Sequence, residues 1–305
     1  MAKGAWMAHC WLDFHNPGGT VLLAGCGRSG TTWLGDILNF RNSFRMMFEP
    51  FYPAKVPELQ PVWRPQQYLR PDATGPGPDR ARAILAGRLR NEWVDQFNSR
   101  KMAHRRLIKD VRLNLALGWI HAAFPQMPLV FMMRHPIPTA LSQLKLEWKL
   151  QAPLFLEQPE LMADHLEPFR RELEAPGDPF EAQIAIWCAM NIVPLRQFAA
   201  GGLHLVFYED LCRRPQEVLP SLFSHIGVGH ADGALQLLSR PSALSKSFSA
   251  VLRGDDPVES WRREVTEDQV RRAAAVLARF GLDRLYGPGS LPLTPADGAL
   301  QLFLK

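Results

Sequence analysis

The chain has 305 residues, 47% apolar and 21% charged, the balance of an ordinary globular protein with enough chain for one α/β domain or two small ones. Its net charge of +5 is modest, and basic residues are dense only in "RKMAHRR" (100–106), so nucleic acid is not an expected partner. Arginine dominates the 35 basic residues, which suits planar recognition of phosphate or sulfate oxygens and fits biased codon usage equally well.

In chain order, "TVLLA" (20–24) is a buried-strand pattern closed by Gly25, and "TTWLGDILNF" follows with apolar residues at helical spacing. "FRMMF" (44–48) is a short strand ended by Glu49-Pro50, and the proline-rich 52–78 is loop. A helix is predicted from about 79 to 98, a strand in "RRLIKDV", a helix in "LNLALGWIHAAF" and a strand in "PLVFMM" (128–133). "PIPTALSQLKLEWKL" is a helix with proline in its first turn, and helices are predicted over 153–174 and 179–199. "LHLVFY" (203–208) is the last strand; the helices "PQEVLPSLFSHI" and "TEDQVRRAAAVLARF" follow, the latter capped by Thr266. Buried strands alternating with helices predict an α/β fold, a P-loop-like parallel sheet flanked by helices on both faces. We expect one domain over 1–305, with insertions at about 52–98 and 150–180.

Cysteines 10, 26, 188 and 212 form no CxxC pair, so a reducing, cytoplasmic setting is expected. His9, Asp13 and His15 break the apolar core a signal peptide needs, and "LALGWIHAAF" (115–124) is too short to span a bilayer. The histidines show no metal-ligand spacing, and no metal is expected.

"GCGRSGTT" (25–32) carries the chemistry. At a strand-to-helix turn the first helical N–H groups lack partners, and the helix dipole favours an anion there. Gly25, Gly27 and Gly30 let the backbone approach phosphate oxygens, Thr31 and Thr32 add hydroxyls, and Arg28 lies inside the turn. A Walker A loop would carry lysine at position 31; threonine there points to a nucleotide with less charge at its 5′ end.

"RSGTTWLGDILN" resembles the 5′-phosphosulfate loop of sulfotransferases that use 3′-phosphoadenosine 5′-phosphosulfate (PAPS). "FMMRHPIPTALSQ" (131–143) resembles their 3′-phosphate motif, with Arg134 at a strand end and Ser142 eight residues later. "LVFYEDLCRRP" (205–215) and "LRGDDPVESWRREVT" (252–266) are similar to two looser segments. Arg28, "LGDILN" and "FEP" lean towards the carbohydrate branch, Trp33 towards the cytosolic one, and His135 replaces the usual Asn or Asp.

The resemblance implies PAPS as co-substrate and a hydroxyl of a glycan, lipid or small molecule as acceptor. Gly27, Arg28, Ser29, Gly30, Thr31, Thr32, Trp33, Arg134, Ser142, Tyr208, Arg253 and Gly254 are the nucleotide-binding candidates. Arg28 would stabilise the leaving phosphate, Glu49 or Asp110 would act as general base, and Lys109 would help neutralise the sulfuryl oxygens. Plain alternatives stand beside these: ion pairs for Glu49, Lys109, Asp110 and Arg134, and core packing for Trp33 and Tyr208. Arg80, Arg82, Arg88 and Arg90 suit either an acidic glycan or a solvated helix face. A P-loop kinase, with "LVFYED" as its acidic strand end, and a non-catalytic nucleotide- or glycan-binding relative are the competing functions.

Overall fold

In the computed structural model the described residues are 12–13, 17–149, 151–229, 233–241, 244–247 and 249–304. Five parallel strands form the central sheet: β1 (Thr20–Gly25), β2 (Phe44–Phe48), β3 (Arg105–Asp110), β4 (Leu129–Met133) and β5 (His204–Phe207). Their spatial order is β2-β3-β1-β4-β5. The five runs singled out in the sequence are these strands. A separate two-residue pairing joins Leu12–Asp13 to Met102–Ala103.

Every residue of β1 is buried because helices cover both faces. Leu22 and Ala24 face one core with α3 (Leu117–Ala123), α4 (Pro136–Lys145), α5 (Pro179–Gln197) and α8 (Glu267–Phe280). Val21 and Leu23 face the other with α1 (Thr31–Leu38), α6 (Tyr208–Arg213) and α7 (Pro215–His225). That alternation is the period-2 geometry of a strand. Thr266 caps α8 as expected, with Gln269 returning the bond to complete a capping box.

Of the predicted helices, "PIPTALSQLKLEWKL" already ends at Lys145, and two others are broken up. The one drawn over 79–98 is α2 (Pro76–Leu85) and a single turn, Glu92–Asp95. Gly87, at φ 80°, stops α2. The fully buried Arg45 of β2 then donates to the carbonyls of Gly87 and Leu89 and pairs with Asp95 at 2.7 Å. The 153–174 helix is a chain of short turns, among them Ala152–Leu156, Glu167–Phe169 and Arg170–Glu174, interrupted at Pro159 and Pro168.

The sheet order reverses at β1: β3 and β2 lie to one side, β4 and β5 to the other. Ligands bind open α/β sheets at the carboxyl ends of the strands beside such a switch point. The ends of all five strands, at Gly25, Phe48, Asp110, Met133 and Phe207, fall on that edge. No helix among the described residues is long and apolar enough to cross a membrane.

Candidate active site

A cavity of about 960 Å³ opens at this edge, with the β1–α1 loop as its floor. Gln143 of α4 donates to the Gly27 carbonyl at 2.8 Å, and Asn114 accepts the Gly25 N–H at 3.2 Å. Trp148 lies so close over Gly27 that a Cβ there would stand 2.5 Å from its ring. Gly30 holds φ at 96° and precedes α1 without any side-chain cap, so Thr31, Thr32 and Trp33 bring the helix N-terminus to the cavity uncapped. That terminus favours an anion.

Two arginines converge on the loop. Arg28, half-buried at a φ of 74°, donates from Nε to Ser142 Oγ at 3.0 Å. Arg134 reaches the Arg28 carbonyl at 3.4 Å and the Pro257 carbonyl at 3.1 Å, and its guanidinium lies 4.3 Å over the Tyr208 ring. Its buried Nε has no acceptor. Among the described residues neither arginine has an ion-pair partner. Burial, then the neighbouring Arg134 charge, lowers the Arg28 pKa. The site is therefore short of negative charge. The tilted rings of Trp33 and Tyr208, 5.5 Å apart, stand on the same wall.

Across the cavity is Glu49, at a φ of 44° just past β2. Its two oxygens meet Lys109 Nζ and Arg112 Nη1, each at 2.6 Å. Burial alone would raise the Glu49 pKa, but the two cations outweigh it and hold the carboxyl below its ordinary range. Burial lowers the Lys109 pKa against the pull of Glu49. Thus Glu49, Lys109 and Arg112 form one net-positive unit at the cavity wall.

Five candidates do not line the cavity: Ser29, Asp110, Arg253, Gly254 and Ser142, the last joined to it through its bond from Arg28. Asp110 follows Lys109 on a strand and so faces the opposite way. It is fully buried, takes the N–H groups of Phe51 and Arg112 at 2.7 and 2.8 Å, and does not line the cavity. Burial, foremost, raises its pKa to about 6. Its place corrects the alternative assignment of Asp110 as base: it is the clamp that shapes the turns carrying Glu49 and Arg112. Arg253 is also outside the cavity, drawn to Asp255 at 2.8 Å and Glu264 at 3.4 Å, and Gly254 is the exposed end of its short helix. Ser29 turns its hydroxyl inward to the Cys26 carbonyl at 2.7 Å. The four arginines at 80, 82, 88 and 90 also lie off the cavity; Arg82 covers the Trp119 ring at 5.1 Å.

His135 accounts for its own departure from the motif. Its Nδ1 accepts the Ile137 N–H at 3.3 Å, the helix-capping bond an Asn or Asp would make. That fixes the proton on Nε2, which donates to the Gly287 carbonyl at 3.3 Å. Burial holds the imidazole neutral, its pKa pushed down to about 3. Glu209 receives the His135 N–H at 2.8 Å and the Tyr286 hydroxyl at 2.9 Å.

The model of the sulfotransferase family matches residues 20–232, which includes the loop, Glu49, the Lys109–Arg112 segment and Arg134. The chain belongs to that family. It is an enzyme of sulfuryl transfer. Among solved structures, it is similar to the sulfotransferase domain of the curacin biosynthetic pathway, with 16% identity over 85% of this chain and 97% of that one, TM-score 0.46. It is also similar to the sulfotransferase domain of the Synechococcus PCC 7002 olefin synthase, with 19% identity over 84% and 94%, TM-score 0.47. A third similar structure is a sulfotransferase from Alicyclobacillus acidocaldarius, with 16% identity over 88% and 94%, TM-score 0.43. A comparison with curated proteins returns no match.

Sequence reasoning passed over Arg112, Asn114, Gln143 and Trp148. Each acts on a partner that the fold alone brings near; an arginine just past a strand looks like ordinary surface.

Proposed function

We propose that the sulfotransferase takes its sulfuryl group from PAPS and passes it to an acceptor hydroxyl. The Arg28–Arg134 pair carries this reading: two converging guanidiniums without a carboxylate, one with a buried orphan N–H, leave a place for a multiply charged anion. Backbone N–H groups of the loop and first turn of α1, with Thr31 and Thr32, hold the 5′-phosphosulfate. Arg134 and Ser142 bind the 3′-phosphate, while Trp33 and Tyr208 flank the nucleotide. Ser29 shapes the loop from within. Arg253 and Gly254 have no part in this arrangement, since local carboxylates hold the arginine away from the cavity.

Glu49 is the general base. Lys109 and Arg112 keep it ionised, so it is ready to take a proton at neutral pH. The acceptor oxygen bonds to sulfur, its proton passes to Glu49, and the bond from sulfur to the 5′-phosphate oxygen breaks, releasing adenosine 3′,5′-bisphosphate. As Glu49 becomes neutral, Lys109 and Arg112 lose their counter-charge and turn to the sulfuryl oxygens. Arg28 stabilises the negative charge gathering on the leaving phosphate. The insertions at 52–98 and 150–180 face the acceptor, contributing Pro65, Gln66, Trp93, Gln151 and Leu154 to the cavity. The free thiols Cys26, Cys188 and Cys212 accord with a reducing cytoplasm.

A kinase or NTPase reading is less well supported. Glu209 is occupied by His135 and Tyr286, and Asp210 pairs with Arg214 at 2.8 Å; neither lines the cavity. Calorimetric titration separates the two: adenosine 3′,5′-bisphosphate should bind and ATP with Mg²⁺ should not. Transfer of radiolabel from PAPS to an acceptor then tests chemistry against binding alone. The reverse nucleotide preference rejects the PAPS assignment.

A further inference from the structure

Glu209 is a buried carboxylate that sulfuryl transfer does not use. It stands in the first turn of α6, is only 1% exposed and does not line the cavity. Burying such a group is costly unless bonds compensate it. Among the described residues it has no ion-pair partner, but it has two donors. Its Oε1 accepts the His135 N–H at 2.8 Å and its Oε2 accepts the Tyr286 hydroxyl at 2.9 Å. Burial, foremost, raises its pKa to about 7, and the two bonds and the Arg134 charge pull it back.

The strand register explains the first bond. β4 and β5 pair as far as Met133 and Phe207, where β5 gives way to α6. Arg134 and His135 therefore run on with no strand beside them on that side, and the Glu209 side chain takes the N–H that the ladder no longer serves. Other groups close around the same turn. Trp187 of α5 donates to the Arg134 carbonyl at 3.1 Å, and Thr139 donates to the His135 carbonyl at 3.0 Å. The Trp261 ring stacks on His135 at 4.8 Å, and Tyr286 meets His135 and Trp187 edge-on at 5.1 and 5.9 Å. Arg134 leaves from this turn, and α4, which carries Ser142, begins at it.

We propose that Glu209 is a positioning residue for the 3′-phosphate site. Through the His135 N–H and the Tyr286 hydroxyl it fixes the turn from which Arg134 and Ser142 reach the nucleotide. The inference rests on the 3′-phosphate contacts assigned above to those two residues. The bonds of Glu209 and its charge act in opposite directions on binding. The bonds hold the turn in place, and a misplacement of about 1 Å in such a contact costs up to about 10²-fold. The charge, close to Arg134, weakens the positive field that draws a phosphate. If Glu209 acted through its charge alone, removing it would tighten nucleotide binding. Positioning predicts the reverse.

The test sets adenosine 3′,5′-bisphosphate against adenosine 5′-phosphosulfate, which lacks the 3′-phosphate, in calorimetric titrations at about pH 8, where Glu209 is ionised. Glu209→Met keeps the length of the side chain but accepts neither hydrogen. Its dissociation constant for the bisphosphate should rise about tenfold or more, while that for adenosine 5′-phosphosulfate stays within about threefold. Glu209→Gln reproduces both bonds without the charge, its oxygen accepting from His135 and its amide donating to the Tyr286 oxygen. It should bind the bisphosphate as tightly as wild type, or up to about threefold more tightly. General loss of stability would instead weaken both nucleotides together. A Glu209→Met protein that keeps the wild-type ratio of the two affinities overturns the inference, as does Glu209→Gln weakened as much as Glu209→Met. Where Glu209→Met does not fold, Tyr286→Phe replaces it. That variant strips Oε2 of its donor and should weaken the bisphosphate alone by about threefold or more; an unchanged ratio there overturns the inference too. A wild-type protein that binds both nucleotides alike defeats the 3′-phosphate assignment itself, and the inference falls with it.

Discussion

Removing Arg134 should disarm nucleotide binding with little harm to the free protein. In the absence of ligand its guanidinium makes two long bonds to carbonyls, at 3.4 and 3.1 Å, leaves Nε unpaired, and adds to the positive field that lowers the Arg28 pKa. Arg134→Ala therefore loses weak contacts and the Tyr208 stack while relieving repulsion, so its ligand-free Tm should fall by no more than about 3 °C. Against a 3′-phosphate the same side chain offers two donors, each bond to a charged group contributing about 1.5–3 kcal/mol. Loss of both raises the dissociation constant for adenosine 3′,5′-bisphosphate by about 10² to 10⁴-fold. With ligand at one hundred times the wild-type dissociation constant, binding stabilises wild type by about 2.7 kcal/mol and the variant by about 0.4 kcal/mol or less. In a thermal-shift assay that difference is several degrees of lost ligand response. Adenosine 5′-phosphosulfate, lacking the 3′-phosphate, should bind wild type and variant nearly alike. A variant that keeps its affinity for the bisphosphate within threefold, or loses affinity equally for both nucleotides, refutes the assigned contact.

Glu49→Gln should lower acceptor turnover by about 10²-fold or more while affinity for adenosine 3′,5′-bisphosphate holds, measured by single-turnover kinetics and calorimetry. Asp110→Asn should do the reverse: its amide can accept only one of the two backbone N–H groups, so stability drops by about 1–3 kcal/mol while turnover per folded molecule persists. His135 is neutral in the folded protein down to about pH 3 but takes a proton near pH 6.5 when unfolded, so its contribution is full above 6.5 and erodes as pH falls. At pH 4.5 that erosion is about 3 kcal/mol, and the wild-type Tm should have moved several degrees towards that of His135→Asn since pH 7.5.

The strands and the phosphate loop were legible in the sequence because local chemistry determines them. "TVLLA" and "FRMMF" are short buried runs ended by glycine or proline neighbours, and nothing distant is needed to place them. The helices over 79–98 and 153–174 were overdrawn for the opposite reason. Arg45 arrives from β2 to claim the Gly87 and Leu89 carbonyls, and no local pattern announces a partner 42 residues away. At the site, Lys109 and Asp110 are equal candidates on paper. Strand alternation sends one to the cavity and the other to two backbone N–H groups. Arg253 looked like a phosphate ligand until its neighbours Asp255 and Glu264 were placed within reach.

One property of the site was invisible in sequence and is open to a clean test. Arg28 and Glu49, assigned to the leaving phosphate and to the base, are both non-glycine residues held at positive φ, 74° and 44°. Such a conformation costs about 1–2 kcal/mol for an L-residue and persists only where the surroundings impose it. At position 28 the imposing contacts are largely backbone: Ser29 donates its N–H to the Cys26 carbonyl at 3.1 Å, and Gln143 fixes the Gly27 carbonyl. The loop should therefore keep its shape when the arginine side chain is gone. Arg28→Gly removes the strain, whereas Arg28→Ala retains it, and both remove the guanidinium. Greater flexibility of the unfolded glycine chain takes back about 0.5–1 kcal/mol. The glycine variant should thus equal or exceed the alanine variant in stability, by up to about 1 kcal/mol in urea unfolding. Both should lose about 10²-fold or more in kcat, because neither can follow charge onto the leaving phosphate. A glycine variant less stable than the alanine one would mean that the positive φ at Arg28 is not a strained state. An alanine variant with near wild-type kcat would remove Arg28 from the chemistry.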